Sequence, residues 1–327
     1  MGKVFLYEYA TCGSISMVSP SMAIEGLGMF KALLEGFESH HVVSTFIDPS
    51  LAFFSRYPRG IFDQEAFKTH LKNSEYSLLI APETDLELHR LTRVLEGSGC
   101  ANLGSSPKAV LAATDKYETY RKIKDLSPRT EIFNGSTMLS FPLVAKPRDG
   151  VSGEGVFLVK DATHLSKVPR NYLVQEYVQG KAMSASLLVG DEAKLLSINT
   201  QESENFRYQG SKLPVEGIEP DLIYEAVSRI KGLFGYVGVD FILGEELKII
   251  EINPRPTTPI IALDINVSEA IFKNYYQEAI PDFTPRRTWM MKLPGTHPNS
   301  YISHRGYSIL IRDTDEDIDL RHRRGER

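Results

Sequence analysis

The sequence has few cysteines and no long apolar segment. Its 327 residues contain two cysteines, Cys12 and Cys100, too few for a disulfide framework and typical of a reducing compartment. None of its apolar runs approaches the ~20 residues that a membrane-spanning helix needs. The opening stretch MGKVFLYEYATCG predicts a strand and a polar loop rather than a signal peptide. We therefore expect a cytoplasmic protein without a membrane partner.

The sequence also lacks an excess of positive charge. It contains 37 Lys and Arg against 42 Asp and Glu, a net charge of −5, and basic residues are concentrated only in the C-terminal tail. A protein that binds nucleic acid usually presents a basic stripe, so we expect no nucleic-acid partner. A hydrophobic content of 42% is typical of a globular protein, and the length predicts two or three subdomains.

The N-terminal region alternates strand patterns with helix patterns. Apolar strands such as KVFLYEY and YSLLIAPE flank the helical stretch SMAIEGLGMFKALLEGF, which predicts a parallel sheet covered by helices on both faces. Ligands of such sheets bind at the carboxyl ends of the strands. Glu8 and Glu83 follow two of these strands, so each is a candidate substrate contact, with a surface carboxylate as the alternative.

The rest of the chain is richer in strands and hairpins. The turn GSSP marks the first boundary, and the charged stretch RDTDEDIDLRHRRGER at the end predicts a poorly ordered tail. The predicted units are an N-terminal α/β domain (1–104), a central subdomain with a Gly-rich flap (105–180), a C-terminal subdomain with a metal site (181–285) and a C-terminal extension (286–327).

A Gly-rich loop, KPRDGVSGEGV, lies between two apolar strand patterns. A dinucleotide-binding loop would open a helix, and a Walker A loop would end in Gly-Lys-Ser/Thr; neither pattern is present. The loop therefore predicts a hairpin with Lys146 at the end of its first strand. Glycine allows backbone N–H groups to approach a triphosphate closely; a flexible hairpin tip is the alternative.

Three polar residues interrupt an apolar hairpin near the end of the third unit. Glu251 and Asn253 are two positions apart in the strand pattern IIEIN, so they share a face, and Asp240 in the preceding strand can meet them. Oxygen ligands without His or Cys suit Mg²⁺. The sequence therefore predicts a magnesium site, with a solvated strand face as the alternative.

These motifs together resemble the ATP-grasp superfamily of carboxylate–amine ligases. The stretches DKYETY, VAKPRDGVSGEGV, LVQEYVQG, GVDF and EINPRPT occur in the family's order over about residues 107–270. The resemblance implies an α/β protein, α+β in its ATP-binding part, with an ATP-grasp fold after a Rossmann-like pre-ATP-grasp domain. It implies ATP as cofactor with one or two Mg²⁺, Mn²⁺ being an alternative ion.

The resemblance also assigns roles to individual residues. One departure is GKAMS after the hinge, where many members place an acidic residue for the ribose. The implied assignments are Lys116 and Lys146 for the phosphates, Gly150, Ser152, Gly153 and Gly155 for the closing loop, Gln175, Glu176, Tyr177 and Val178 for the adenine hinge, Asp240, Glu251 and Asn253 for the metal, and Arg255 for charge on the transferring phosphoryl group.

Shorter stretches narrow the resemblance. FLYEYATCG, EGLGMFKALLEGF, LLIAPETD and FRYQGSKLP resemble tyramine–L-glutamate ligases of methanofuran biosynthesis, which implies an amide bond formed through an acyl phosphate. Arg207, beside Tyr208, is then a candidate clamp for the glutamate carboxylates, with a surface arginine as the alternative.

Two other functions remain open at this point. One is an ATP-grasp ligase for another amino acid, peptide or cofactor tail. The other is a non-catalytic nucleotide-binding protein, which the intact set of Asp240, Glu251, Asn253 and Arg255 disfavours. Small molecules are the expected partners in the first case, and the sequence leaves monomer and homodimer open.

Overall fold

The computed structural model describes residues 2–263, 266–282 and 286–313. The charged segment 314–327, for which the sequence predicts poor order, lies outside the described residues. Within them the chain forms four β-sheets, and no helix there has the length and apolar character of a membrane span. The mixture of a parallel N-terminal sheet with antiparallel sheets confirms the predicted fold class.

The N-terminal sheet is parallel, with strand order β2-β1-β3-β4. Its strands are continuous apolar runs because helices and later segments cover both faces. The elements of this region are β1 (Lys3–Glu8), α1 (Pro20–Glu38), β2 (Val42–Ser44), α2 (Gln64–Lys72), β3 (Tyr76–Ile80), α3 (Glu87–Glu96) and β4 (Ala101–Asn102).

Helix α1 is buried on more than one side. It begins at Pro20 behind an N-cap serine, Ser19, whose side chain accepts a hydrogen bond from the Met22 N–H, the arrangement that best satisfies a free N-terminal donor. One side of α1 contacts β1, and another contacts the C-terminal strands. A Cβ at Gly26 would lie 2.4 Å from the Glu8 carboxylate, so glycine lets the helix approach β1 closely.

The central segment forms a small antiparallel sheet, ordered β5-β8-β6-β7. The helical stretch that precedes it is interrupted at Asp115, which caps the second helix through the Tyr117 N–H. The elements are α4 (Pro107–Thr114), α5 (Lys116–Lys122), β5 (Thr130–Ile132), β6 (Leu143–Lys146), β7 (Phe157–Val159), α6 (Ala162–Leu165) and β8 (Leu173–Glu176).

The following segment forms a second antiparallel sheet, ordered β10-β9-β13-β14. The predicted hairpin that carries Asp240 and Glu251 is confirmed, and these two residues are directly opposite each other in it. The elements are β9 (Lys181–Val189), β10 (Ala193–Thr200), β11 (Glu202–Glu204), β12 (Arg207–Leu213), α7 (Asp221–Ser228), β13 (Gly235–Leu243) and β14 (Leu247–Asn253).

The C-terminal segment forms strands that the sequence analysis did not predict. They join β11 and β12 in a sheet ordered β11-β12-β15-β17-β16, and their apolar side chains share one core with the N-terminal region. The apolar runs TWMMKL and YSILI are typical of strands, although the strand and helix patterns of the sequence weaken in this region. The elements are α8 (Val267–Tyr275), β15 (Thr288–Pro294), β16 (Ile302–His304) and β17 (Tyr307–Asp313).

Candidate active site

A cavity of about 350 Å³ collects most of the residues that the sequence singles out. Its walls come from the β6–β7 loop, strand β8, the β13–β14 hairpin, the β11–β12 turn and helix α1. These elements belong to different sheets, so only the folded chain brings their side chains together. Of the predicted residues, those that line the cavity are Lys116, Lys146, Gly150, Ser152, Gly153, Gln175, Glu176, Tyr177, Val178, Tyr208, Asp240, Glu251, Asn253 and Arg255.

Two lysines reach the cavity from different sides. The Lys116 ammonium donates to the Gly150 carbonyl at 2.8 Å and lies 3.0 Å from a Glu251 carboxylate oxygen. Lys146, at the end of β6, donates to the Gln175 amide oxygen at 2.9 Å. Burial lowers the pKa of Lys146 to about 8, with Lys116 acting in the same direction and Glu251 opposing it. An anion bound here would raise this pKa again, because a nearby negative charge favours the protonated form of lysine.

The polar side chains of the β13–β14 hairpin also converge. Asp240 accepts hydrogen bonds from the amides of Gln201 at 2.6 Å and Asn253 at 3.2 Å. Burial, together with the neighbouring Glu251 carboxylate, raises the pKa of Asp240 to about 7. Two carboxylates and an amide oxygen fit a hard cation. The described residues contain no cluster of three or more His, Cys, Asp or Glu for a metal, and the three hairpin side chains alone do not fill the octahedral shell of Mg²⁺.

A buried ion pair holds Arg255 at the end of β14. Its Nε and Nη2 atoms donate to the two Glu83 oxygens at 2.9 and 2.8 Å, and its Nη1 donates to the Pro256 carbonyl at 3.1 Å. The Arg255 side chain is 13% exposed and that of Glu83 only 3%. This fork-to-fork geometry fixes the guanidinium orientation. Glu83, a predicted substrate contact, thus has both oxygens engaged by Arg255.

The Gly-rich loop lies over the cavity and meets a second turn. Gly153 has φ of +70°, and a Cβ there would lie 2.0 Å from the Phe206 carbonyl oxygen. Only glycine permits this contact between the β6–β7 loop and the β11–β12 turn. Gly155 belongs to the same loop but is not among the described lining residues of the cavity.

The predicted hinge forms one end of the cavity. Lys146, Gln175 and Thr130 form a hydrogen-bonded chain, since the Gln175 amide donates to the Thr130 hydroxyl at 2.8 Å. Tyr177 itself is half exposed. The cavity also has apolar lining residues, which suit a flat aromatic base. They are Val144, Val156, Val178, Ala182, Phe241, Ile242 and Ile250.

Three predicted contact residues, Glu8, Glu83 and Arg207, are not among the described lining residues of the cavity. Arg207 is exposed at the start of β12, whereas the next residue, Tyr208, lines the cavity; neighbouring strand residues point to opposite faces. Glu8 accepts hydrogen bonds from the N–H groups of Ala10 and Thr11 at 3.1 and 2.7 Å, and this buried carboxylate holds the loop after β1.

The structure adds a carboxylate that the sequence analysis did not single out. Glu25, on helix α1, lines the cavity, and its side chain is 11% exposed and paired with Lys292 of β15. A sequence signal exists, since Glu25 is the one charged residue between Glu8 and Lys31. Gln201, the partner of Asp240, was also missed.

Two family models match adjacent parts of the chain. Residues 56–110 match a pre-ATP-grasp domain, and residues 113–259 match an ATP-grasp domain. The second match contains both lysines, the Gly-rich loop, the hinge and the β13–β14 hairpin. The resemblance inferred from the sequence motifs is therefore confirmed.

Individual relatives agree with this match. The chain is 32% identical over 294 residues to a tyramine–L-glutamate ligase of Methanocaldococcus fervens, which covers 85% of this chain and 95% of that protein. A crystal structure described as an ATP-grasp superfamily protein from Archaeoglobus fulgidus has a TM-score of 0.82 and 31% identity, covering 96% of this chain and 99% of the other. N5-carboxyaminoimidazole synthetase from Staphylococcus aureus, complexed with ADP, shares the fold with a TM-score of 0.72 at 16% identity, covering 95% of this chain and 93% of that one.

Proposed function

Since the chain belongs to the ATP-grasp family of carboxylate–amine ligases, we propose that it uses Mg-ATP to join the γ-carboxylate of L-glutamate to the primary amine of tyramine. The observation that carries this proposal is the convergence of three cations with the polar side chains of one hairpin under a Gly-rich loop. The 32% identity to a tyramine–L-glutamate ligase supports the narrower choice of substrates.

The cavity offers contacts for the adenine and for the phosphates of ATP. The adenine lies against the β8 hinge, and the phosphates lie between Lys116 and Lys146 under the backbone N–H groups of the Gly-rich loop. Lysine is a compact point charge that suits phosphate oxygens, and glycine lets the backbone approach them. ATP would also relieve the cost of holding Lys146 buried beside a neutral amide.

The hairpin would hold the metal. Asp240, Glu251 and Asn253 supply oxygen ligands, and bound Mg²⁺ would neutralise phosphate charge and orient the phosphates for transfer. Gln201 holds one Asp240 oxygen through its amide. The Lys116 ammonium forms an ion pair with the Glu251 carboxylate, so each side chain helps to position the other for the nucleotide.

The reaction needs positioned charges rather than a protein nucleophile. A γ-carboxylate oxygen of glutamate attacks the terminal phosphorus of ATP, the bond to the ADP oxygen breaks, and an acyl phosphate forms. The amine loses its ammonium proton to solvent and attacks the acyl carbon, inorganic phosphate leaves with the former carboxylate oxygen, and a second amine proton passes to solvent. Arg255 stabilises negative charge on the transferring group, and the two loops that meet at Gly153 exclude water.

A direct assay tests the proposed function. ADP release is measured with ATP, Mg²⁺, glutamate and a panel of amines, and the product is identified by mass spectrometry. We expect release that requires both glutamate and tyramine, with one γ-glutamyl amide formed per ADP. ADP release with glutamate and a different amine, but not with tyramine, would contradict tyramine as the substrate and leave the ligase activity standing. Absence of ADP release with glutamate and every amine of the panel would contradict the proposed glutamate ligase.

A further inference from the structure

We propose that Glu25 of helix α1 binds the ammonium group of the incoming amine, and that the apolar part of the cavity beside it holds the amine's organic body. This inference rests on the proposed function, because it assigns a subsite within the same cavity. It concerns a residue outside the segment matched by the ATP-grasp domain, residues 113–259.

The Glu25 carboxylate is held in place and retains free acceptor capacity. Its Oε1 accepts from the Lys292 ammonium at 2.5 Å, and its Oε2 accepts from the Thr258 hydroxyl at 2.9 Å. An ionised carboxylate has about four acceptor sites, so each oxygen can accept a further hydrogen bond. Glu25 lines the cavity, whereas Lys292 is not among the described lining residues.

Lys292 fixes Glu25 from the protein side. Its ammonium also donates to the Ser21 hydroxyl at 2.8 Å and lies 5.7 Å from the centre of the Tyr208 ring. With its side chain 5% exposed, Lys292 is engaged by protein groups and is not among the described lining residues of the cavity. Lys292 is therefore a positioning residue. Glu25, which lines the cavity, is the member of the pair that a ligand would contact.

The surroundings of Glu25 favour an apolar amine over an amino acid. The cavity is lined by Met22 and Met29 of α1, by Val18 just before the helix, and by Tyr208 of β12. Thioethers and an aromatic ring make favourable contacts with an aryl group. An amino acid would bring its α-carboxylate beside Glu25, and like charges at short range repel. An arylalkyl ammonium brings one positive charge and an apolar body, which match both features.

The position of Thr258 links this subsite to the reaction centre. Thr258 binds Glu25 and is three residues beyond Arg255 in the chain, and both residues line the cavity. An amine held at Glu25 therefore lies on the α1 side of the cavity, at the carboxylate that Thr258 also contacts. Glutamate would occupy the neighbouring space, where its γ-carboxylate meets the nucleotide.

The substitution Glu25→Gln tests the subsite because it keeps the side-chain shape and removes the charge. We expect the KM for tyramine to rise about 10- to 100-fold, the range for losing one hydrogen bond to a charged group. The KM values for glutamate and ATP should change less than twofold. The matched control is Glu35→Gln on the same helix, whose side chain is 59% exposed and whose loss should alter none of the three.

Two further measurements keep the test decisive. If Glu25→Gln melts far below the wild type, Glu25→Asp replaces it as the test. Aspartate keeps the negative charge that pairs with Lys292, but its shorter side chain draws the carboxylate back from the cavity. We expect the same selective rise in the KM for the amine. Calorimetric titration with tyramine, in the presence of glutamate and a non-hydrolysable ATP analogue, measures the affinity of the subsite for the amine without turnover. Tyramine binding that Glu25→Gln weakens would support the inference even if wild-type turnover failed and the proposed function with it. An unchanged amine KM, or an equal or larger rise in the glutamate KM, would overturn the inference.

Discussion

Replacing Arg255 by lysine should lower kcat by about 100- to 1000-fold, the effect of removing one preorganised donor from a developing charge. Arginine has five N–H groups, and three of those on Arg255 are used by Glu83 and the Pro256 carbonyl. One N–H on each terminal nitrogen is left for the phosphoryl group. A lysine cannot hold Glu83 in this fork and present two further donors, because its ammonium has three protons at one point.

The control for this prediction is an arginine in a similar ion pair at the surface. Arg229 pairs with Asp125 and Glu225, so Arg229→Lys makes the same chemical change far from the cavity. We expect it to keep kcat within twofold. If Arg255→Lys, with a melting temperature close to that of the wild type, also kept near-normal kcat, Arg255 would have no role in stabilising the transferring group.

Replacing Glu251 by glutamine should reduce kcat by at least about 100-fold at saturating Mg²⁺ and ATP. Glutamine keeps the shape of the side chain but removes the charge opposite Asp240 and beside Lys116. Without that charge the proposed metal would lose an ionic ligand, and the charge balance around the phosphates would change at the moment of transfer. The apparent affinity for Mg²⁺ should fall in the same variant, as a titration of activity against Mg²⁺ would measure.

The same hairpin provides the matched control for Glu251. Glu246 lies beyond the end of β13, pairs with Lys248 and has a side chain that is 73% exposed. Glu246→Gln should leave kcat and the Mg²⁺ dependence unchanged. Near-normal kcat of Glu251→Gln under saturating Mg²⁺ would remove Glu251 from the proposed metal site.

The ligand-free site is electrostatically costly, which is consistent with a site shaped for a charged ligand. Burial lowers the pKa of Lys146 to about 8 and raises that of Asp240 to about 7. Each shift means that the folded protein disfavours the charged form of the group. A nucleotide with its metal would offset both effects at once, because phosphate pairs with the lysine and the metal pairs with the carboxylate.

Sequence reasoning located the hairpin because that signal is local. A period of two along IIEIN places Glu251 and Asn253 on one face, and a short connection places Asp240 opposite. The order of the motifs also sufficed to predict the fold class and the family. Both inferences depend on neighbours within a few residues, or on motif order along the chain.

Three features depended on contacts between distant segments. The sequence does not show which of the neighbours Arg207 and Tyr208 faces the cavity. In the fold β12 pairs with β15, and Tyr208 lines the cavity. Lys292 meets Glu25 across 267 positions of sequence, so neither residue suggests the other. Glu83 reads as an end-of-strand carboxylate, and only the fold reveals Arg255 as its partner.

The fate of one oxygen atom tests the central claim, that a carboxylate is activated by phosphorylation before the amine attacks. The wild-type enzyme is incubated with ATP, Mg²⁺, tyramine and glutamate labelled with ¹⁸O in its γ-carboxylate, and the released phosphate is analysed by mass spectrometry. An acyl phosphate transfers one carboxylate oxygen to phosphorus, so the account predicts one ¹⁸O in each phosphate released. Phosphate without label, formed while the amide accumulates, would contradict it.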